Sequence, residues 1–205
     1  MPVYNALMLD ATLRPVIDRP LGSVAKIITA QSWIRVSPDW ITVTGFIIGL
    51  GAPLALWMEH YIAALIFIIV NRIMDGLDSA VARQMGVTDR GGYLDIVLDF
   101  LFYAGVVFGF ALAQPEQAIY AALLMFAFMG TASSFLAFAI FAEKRGLQTT
   151  MRGEKSLYYL GGLTEGSETI ITFILMCLAP LYFWFIALVF AILCFLTTAT
   201  RVRYA

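Results

Sequence analysis

The residues able to do chemistry are concentrated in one stretch, NRIMDGLDSAVARQMGVTDRGGYLDIVLDF at residues 71–100, which holds the aspartates Asp75, Asp78, Asp95 and Asp99. Asp75 and Asp78 are spaced i, i+3, and Asp95 and Asp99 i, i+4, so on helices each pair projects from one face. Both pairs sit in otherwise apolar runs, on either side of a short polar segment at residues 84–90. Asp78 stands five residues before Arg83 and Asp95 five after Arg90, while Asp75 stands eight before and Asp99 nine after. In an antiparallel hairpin this spacing puts the pairs opposite each other at matched depths of roughly 7 Å and 12–13 Å. Unrelated aspartates would have no reason to match in depth.

An aspartate at the centre of a membrane helix costs about 2.5–3.5 kcal/mol even on modest scales, and four neighbouring carboxylates repel one another. Arg72 and Arg83 offset part of this charge. The remainder suits one or two divalent cations, and a donor set made only of carboxylate oxygens favours Mg²⁺ or Mn²⁺ over Zn²⁺. Gly76, Ser79, Ala80 and Ala82 on one side, with Gly91 and Gly92 on the other, would let a bulky ligand approach the backbone. From the residues alone, two other readings stay open: an ion-pair network that joins helices, and a proton or cation pathway.

The elements that must position these acids are membrane helices. The 205 residues are 61% hydrophobic and 13% charged, with a mean hydropathy of +0.85, whereas a soluble domain carries about a quarter charged residues. Apolar runs long enough to cross about 30 Å of hydrocarbon recur at 41–57, 61–83, 91–113, 117–142, 167–179 and 181–199, the fifth beginning as early as residue 162. The expected fold is an all-α integral membrane protein of six transmembrane helices preceded by a cytoplasmic, interfacial amphipathic helix. It forms one membrane domain over 1–205, with residues 1–36 as the N-terminal segment and 37–200 as a six-helix catalytic bundle. Leu21, Val24, Ala25 and Ile28 supply the apolar face of the interfacial helix, and Lys26 lies off it.

Basic residues orient the bundle. Arg14, Arg19, Lys26 and Arg35 precede the first span, Arg83 and Arg90 flank the second loop, Lys144, Arg145, Arg152 and Lys155 fill the fourth, and Arg201 and Arg203 follow the sixth span. The turns after spans one, three and five contain no Lys or Arg, so both termini and the acid-bearing end are expected in the cytoplasm. A net charge of −1 offers no basic surface for nucleic acid. Cys177 and Cys194 fall inside apolar spans and lack the spacing of a disulfide framework or a metal site. His60 lies in a short turn and reads as interfacial, and the first twenty residues lack an apolar core of signal-peptide type.

The stretch Asp75-Gly-Leu-Asp78-Ser79-Ala-Val-Ala82-Arg83, followed by a spacer and Gly91-Gly-Tyr-Leu-Asp95-Ile-Val-Leu-Asp99, resembles the D-x-x-D-G-x-x-A-R … G-x-x-x-D-x-x-x-D signature of the CDP-alcohol phosphotransferase (phosphatidyltransferase) family, class I. SPDWITVTG at 37–45 is similar to that family's P-N-x-x-T approach to its first span, and GGLTEGSETI at 161–170 resembles a bacterial branch of it. Ser79 replaces the motif's first glycine, Asp39 stands where asparagine is common, and the spacer is one residue short.

The resemblance implies transfer of a phosphatidyl-type group from a CDP-linked lipid to a hydroxyl acceptor, with release of CMP, in phospholipid biosynthesis at a bacterial inner membrane. It implies two cations held by Asp75, Asp78, Asp95 and Asp99, with Asp75 and Asp95 bridging and Asp99 also serving as general base. It places Pro38, Asp39, Thr42, Ser79, Arg83 and Thr88 around the CDP moiety, and it implies a homodimer. Lys144, Arg145, Arg152 and Lys155 lie on the same side as the acids and suit a phosphorylated acceptor, although positive-inside asymmetry alone would also put them there. Glu165 and Glu168 would suit an amine or polyol, or pair with that basic loop.

Two rivals are weighed against this reading. An intramembrane prenyltransferase needs a second Asp-rich motif far along the chain, and residues 100–205 contain no aspartate. A multi-pass cation or proton transporter using the aspartate cluster is the alternative from another class, but broken or repeated halves are not evident.

Overall fold

The computed structural model describes residues 20–27, 29–30, 37–145 and 164–204, and all regular structure among them is helical. Residues 20–27 and 29–30 form α1. There follow α2 (Pro38–Gly49), α3 (Gly51–Trp57), α4 (Tyr61–Met85), α5 (Asp89–Ala113), α6 (Ala118–Lys144), α7 (Gly166–Leu178) and α8 (Phe183–Tyr204), with 3-10 turns at Pro115–Gln117 and Pro180–Tyr182.

The first expected span is two helices, broken at Leu50. Pro53 lacks the N–H that would bond the carbonyl four residues earlier, and its ring crowds that carbonyl, so a straight helix cannot run through. The second and third spans extend toward each other and leave only residues 86–88 between them. Gly86 adopts φ 102°, a conformation costly for other residues, and so ends α4. The Thr88 side chain then accepts a hydrogen bond from Gly91 N (3.0 Å) and starts α5. The earlier start of the fifth span, near residue 162, lies outside the described residues.

Among the described residues, four helical stretches are long and apolar enough to cross a membrane: Pro38–Trp57, Asp89–Ala113, Pro115–Lys144 and Pro180–Arg203. Helix α4 has 25 residues, but Arg72, Asp75, Asp78 and Arg83 dilute its apolar character. Helix α7 has 13 residues, about 20 Å of rise, which is shorter than the hydrocarbon layer.

Helix α4 explains how the acids come to face inward. Ile62, Ile66, Ile69 and Ile73 form an exposed stripe, while Ala64, Ile68, Asn71 and Asp78 on the opposite side are buried. Lipid tails are as apolar as isoleucine, so what joins membrane helices is close packing and polar contact. Helix α2 accordingly meets α4 through small residues: a Cβ on Gly45 would lie 2.7 Å from Met74 Cβ, and one on Gly49 2.8 Å from Asn71 Nδ2. Helix α3 packs on α5, and α6 on α8. An aromatic core joins α5, α7 and α8, with the Phe110 and Phe183 rings stacked at 4.7 Å and Tyr103 against Phe173 at 6.0 Å.

Helix α1 lies over the end of α4. Leu21 and Ala25 pack with Ile41, Ala80 and Val81, Thr29 Oγ1 donates to Gln84 Oε1 (2.7 Å), and Gln84 Nε2 donates to Gly22 O (3.4 Å). Of the expected apolar face, Val24 is 44% exposed and the side chain of Ile28 lies outside the described residues.

Candidate active site

Helices α4 and α5, joined by a three-residue connection, bring the aspartates together as the matched spacing requires. Ligand oxygens of Asp75, Asp95 and Asp99 all lie within 4.8 Å of one another. These three, with Asp78 and Thr42, line one cleft between α2, α4 and α5. Asp78 is 4% exposed, and its Oδ2 has no hydrogen-bond partner among the described residues. Three converging carboxylates and one buried carboxylate oxygen left unsatisfied form a hard, oxygen-only donor set. Such a set fits Mg²⁺ or Mn²⁺, and leaving it uncompensated is costly.

Arg72 forms the inner wall. Its Nη2 lies 2.7 Å from Asp99 Oδ1 and its Nη1 3.4 Å from Asp75 Oδ2. Nη1 also donates to the Tyr103 hydroxyl (3.2 Å), which in turn donates to Asp99 Oδ2 (3.2 Å). Nε donates to Asn71 Oδ1 at 2.9 Å, and Nη2 shares that acceptor. The guanidinium carbon lies 5.1 Å from the Phe102 ring centre and 5.4 Å from that of Tyr103. Arg72 thus places one positive charge directly against Asp75 and Asp99.

The residues expected around CDP are only partly gathered. Pro38 opens α2, and its carbonyl accepts from Thr42 Oγ1 (3.1 Å). Asp39 Oδ2 pairs with Arg90 Nε at 3.4 Å, and a Cβ on Gly91 would lie 3.4 Å from Asp39 Oδ1 and 3.0 Å from Thr88 Oγ1. Asp39 and Thr88 therefore meet where α2 approaches the start of α5. Thr42 alone of the expected set lines the acid cleft; Ser79, half-buried, and Arg83, exposed, follow Asp78 on α4 outside that lining. Lys144, in the last turn of α6, and Arg145, just after it, are exposed. Arg152 and Lys155 lie outside the described residues.

One sequence reading is corrected in part. The small residues of α4 were read as room for a ligand, but a Cβ on Gly76 would lie 2.5 Å from Leu21 Cδ1, and Ala80 is buried with Ala25 and Ile41. At Gly76 and Ala80 that space is taken by packing with α1, whereas Ser79 and Ala82 are half-buried. Glu165 and Glu168 form a capping box at the start of α7, Glu165 N donating to Glu168 Oε2 (3.1 Å), which gives both acids a local role. Asn71 and Tyr103 were missed. Their signal lay in the periodicity: Asn71, Asp75 and Asp78 fall at i, i+4, i+7, and Asp95, Asp99 and Tyr103 at i, i+4, i+8.

A family model described as CDP-alcohol phosphatidyltransferase matches residues 35–201. The chain is 50% identical over 196 residues to the inner membrane protein YnjF of Escherichia coli (strain K12), a match covering 95% of this chain and 94% of that protein. It is 35% identical over 101 residues to an archaetidylinositol phosphate synthase of Pyrococcus horikoshii, covering 49% of this chain and 52% of that one. It shares the fold of the Mycobacterium tuberculosis phosphatidylinositol phosphate synthase crystallised with CDP-DAG, with a TM-score of 0.70 at 19% identity over 90% of this chain and 92% of that chain. The ion-transporter alternative finds no support in these comparisons.

Proposed function

The chain belongs to the CDP-alcohol phosphatidyltransferase family, membrane transferases of phospholipid biosynthesis, and on that premise we propose that it transfers a phosphatidyl-type group from a CDP-linked lipid to a hydroxyl acceptor and releases CMP. The observation that carries the reading is the convergence of the Asp75, Asp95 and Asp99 carboxylates across the α4–α5 connection.

In this reading Asp75, Asp78, Asp95 and Asp99 would hold two divalent cations, Mg²⁺ or Mn²⁺. Bound there, the cations supply positive charge against the donor's pyrophosphate and the departing CMP. The acceptor oxygen attacks the β-phosphorus in line, the bond from that phosphorus to the CMP oxygen breaks, and CMP leaves with the electron pair. Asp99 takes the acceptor's proton. Thr42 reaches the donor from the cleft wall, and Pro38, Asp39, Ser79, Arg83 and Thr88 border the nucleotide.

The whole chain is one membrane domain of six spans, α2 with α3 counting as one, and α1 lies in the cytoplasmic interface. The distribution of Lys and Arg supports cytoplasmic termini and an acid site on the cytoplasmic side of a bacterial inner membrane, where nucleotide and soluble acceptor are found. A homodimer is part of the same proposal. The relatives named for archaetidylinositol phosphate and phosphatidylinositol phosphate synthesis, together with Lys144, Arg145, Arg152 and Lys155, favour a phosphorylated polyol as acceptor.

The test is CMP release from CDP-diacylglycerol by the purified protein with Mg²⁺ or Mn²⁺ and inositol phosphate, glycerol phosphate, inositol, glycerol or serine, with Asp99→Asn alongside. Metal-dependent release with one acceptor, abolished by the substitution, is expected. Absence of release across the panel would overturn the reading.

A further inference from the structure

Arg72 and Tyr103 lie outside the family signature, three residues before its first aspartate and four after its last, yet both bond directly to its acids, Arg72 to Asp75 and Asp99 and Tyr103 to Asp99. All five N–H groups of the Arg72 guanidinium have an acceptor. Nε and one Nη2 hydrogen reach Asn71 Oδ1, the other Nη2 hydrogen reaches Asp99 Oδ1, and the two Nη1 hydrogens reach Asp75 Oδ2 and the Tyr103 hydroxyl.

Three of those five bonds end on neutral groups, and those groups are themselves anchored. Asn71 Nδ2 donates to the Gly45 carbonyl of α2 at 3.0 Å, and Tyr103 is packed against Phe128 and Phe173. The Phe102 and Tyr103 rings flank the guanidinium. The cation is thus held by the protein frame and does not depend on the carboxylates for its position. Asp99, in contrast, has both oxygens engaged, Oδ1 by Arg72 and Oδ2 by Tyr103.

We propose that Arg72 is a fixed internal cation and, with Tyr103, a positioning pair for Asp99: it orients Asp99 and Asp75 toward the cleft and weakens the free protein's hold on divalent cations. The proposal rests on the reading of the site as a metal-dependent transferase. Its charge logic is direct. A fixed positive group touching two of the three converging carboxylates repels an incoming cation, and the negative pyrophosphate of the lipid donor offsets that repulsion. Cation binding and donor binding are thereby coupled, so a metal ion alone does not saturate the acids.

The experiment measures two quantities on the purified full-length chain: Mn²⁺ affinity without lipid donor, from the electron paramagnetic resonance signal of free Mn²⁺, and kcat and KM for CMP release. Arg72→Gln removes the charge, so the Mn²⁺ Kd is expected to fall at least tenfold while kcat falls about 10–100-fold, the usual range for partners of metal ligands. Arg72→Lys keeps the charge but lacks the planar fork, so Kd stays near that of the unaltered protein and kcat falls. Tyr103→Phe keeps the ring and loses the hydroxyl; kcat falls several-fold, with KM for the lipid donor and the Mn²⁺ Kd unchanged.

A purely structural role would lower folded yield and leave the Kd of the folded fraction where it was. An unchanged or weakened Mn²⁺ affinity in Arg72→Gln would overturn the proposal. If that variant does not fold, unaltered kcat in both Arg72→Lys and Tyr103→Phe would overturn it instead. An unaltered protein that neither binds Mn²⁺ nor releases CMP would overturn the proposed function itself, so the two failures are distinguishable.

Discussion

Asn71 donates from Nδ2 to the Gly45 carbonyl across the α2–α4 contact at 3.0 Å, while its Oδ1 accepts from the neighbouring Arg72. One buried amide therefore joins two helices and anchors the cation behind the acids. Interhelical hydrogen bonds in membranes are worth about 0.6–2 kcal/mol, so Asn71→Leu is expected to lower the thermal midpoint of the purified protein by a few degrees. It also releases the guanidinium, and CMP release should fall about 10–100-fold. A variant that melts early yet retains full turnover would mean that Tyr103 and the aromatic rings hold Arg72 without help.

Gly76 leaves room for α1. A Cβ there would lie 2.5 Å from Leu21 Cδ1, and a longer side chain cannot be absorbed by a small shift. Gly76→Leu is expected to push α1 off α4 and break the Thr29–Gln84 and Gln84–Gly22 bonds. Limited proteolysis should then cut within residues 20–30 at least tenfold faster than in the unaltered protein, with α4–α8 still protected. An unchanged cleavage pattern would show that α1 accommodates the side chain.

Convergence of the aspartates was legible because helix periodicity and distance from a loop are both properties of the chain alone. The stripe of Ile62, Ile66, Ile69 and Ile73, which leaves the acids on the opposite side of α4, carried a periodic signal of the same kind. Whatever depends on a partner from elsewhere in the chain was not legible. Gly76 reads equally well as space for a ligand and as space for Leu21, and only packing decides. Asn71 and Tyr103 carried a periodic signal, but an amide and a phenol in a membrane helix have many possible partners. The break at Leu50 was signalled by Pro53 three residues on, and the E-x-x-E at 165–168 carried the pattern of a capping box.

That capping box gives a third expectation. Glu168 accepts from the Glu165 backbone, and the Glu165 side chain reciprocates toward the backbone of Glu168. Losing such a cap costs about 0.5–2 kcal/mol. For a chain of this size that is a few degrees in thermal midpoint, so Glu168→Ala should melt lower, while Glu168→Gln, which keeps an acceptor oxygen, should lose less. Equal loss in both variants would mean that the charge of Glu168, and not its cap, is what matters.

The acid cluster should behave as a site that gives up stability for function. Asp78 is buried with Oδ2 unsatisfied among the described residues, and Asp75, Asp95 and Asp99 crowd like charges within 4.8 Å. In the absence of divalent cations, neutralising Asp78 relieves the cost of its buried charge. Asp78→Asn is therefore expected to be more stable than the unaltered protein in a chelator, by about 1–3 kcal/mol, which is several degrees in thermal midpoint at this size. Adding Mg²⁺ should reverse the order: a cation that binds only the folded state stabilises by mass action, and the unaltered protein should gain the most. Asp95→Asn should lose most of that gain, because its carboxylate belongs to the converging triad. Asp78→Asn should keep part of it, since Asp75, Asp95 and Asp99 remain. CMP release should fall at least 10²-fold in both. Thermal melts of the three proteins with chelator and with excess Mg²⁺ decide the matter; if Asp78→Asn is less stable than the unaltered protein in chelator, Asp78 is held by partners that offset its charge without any cation.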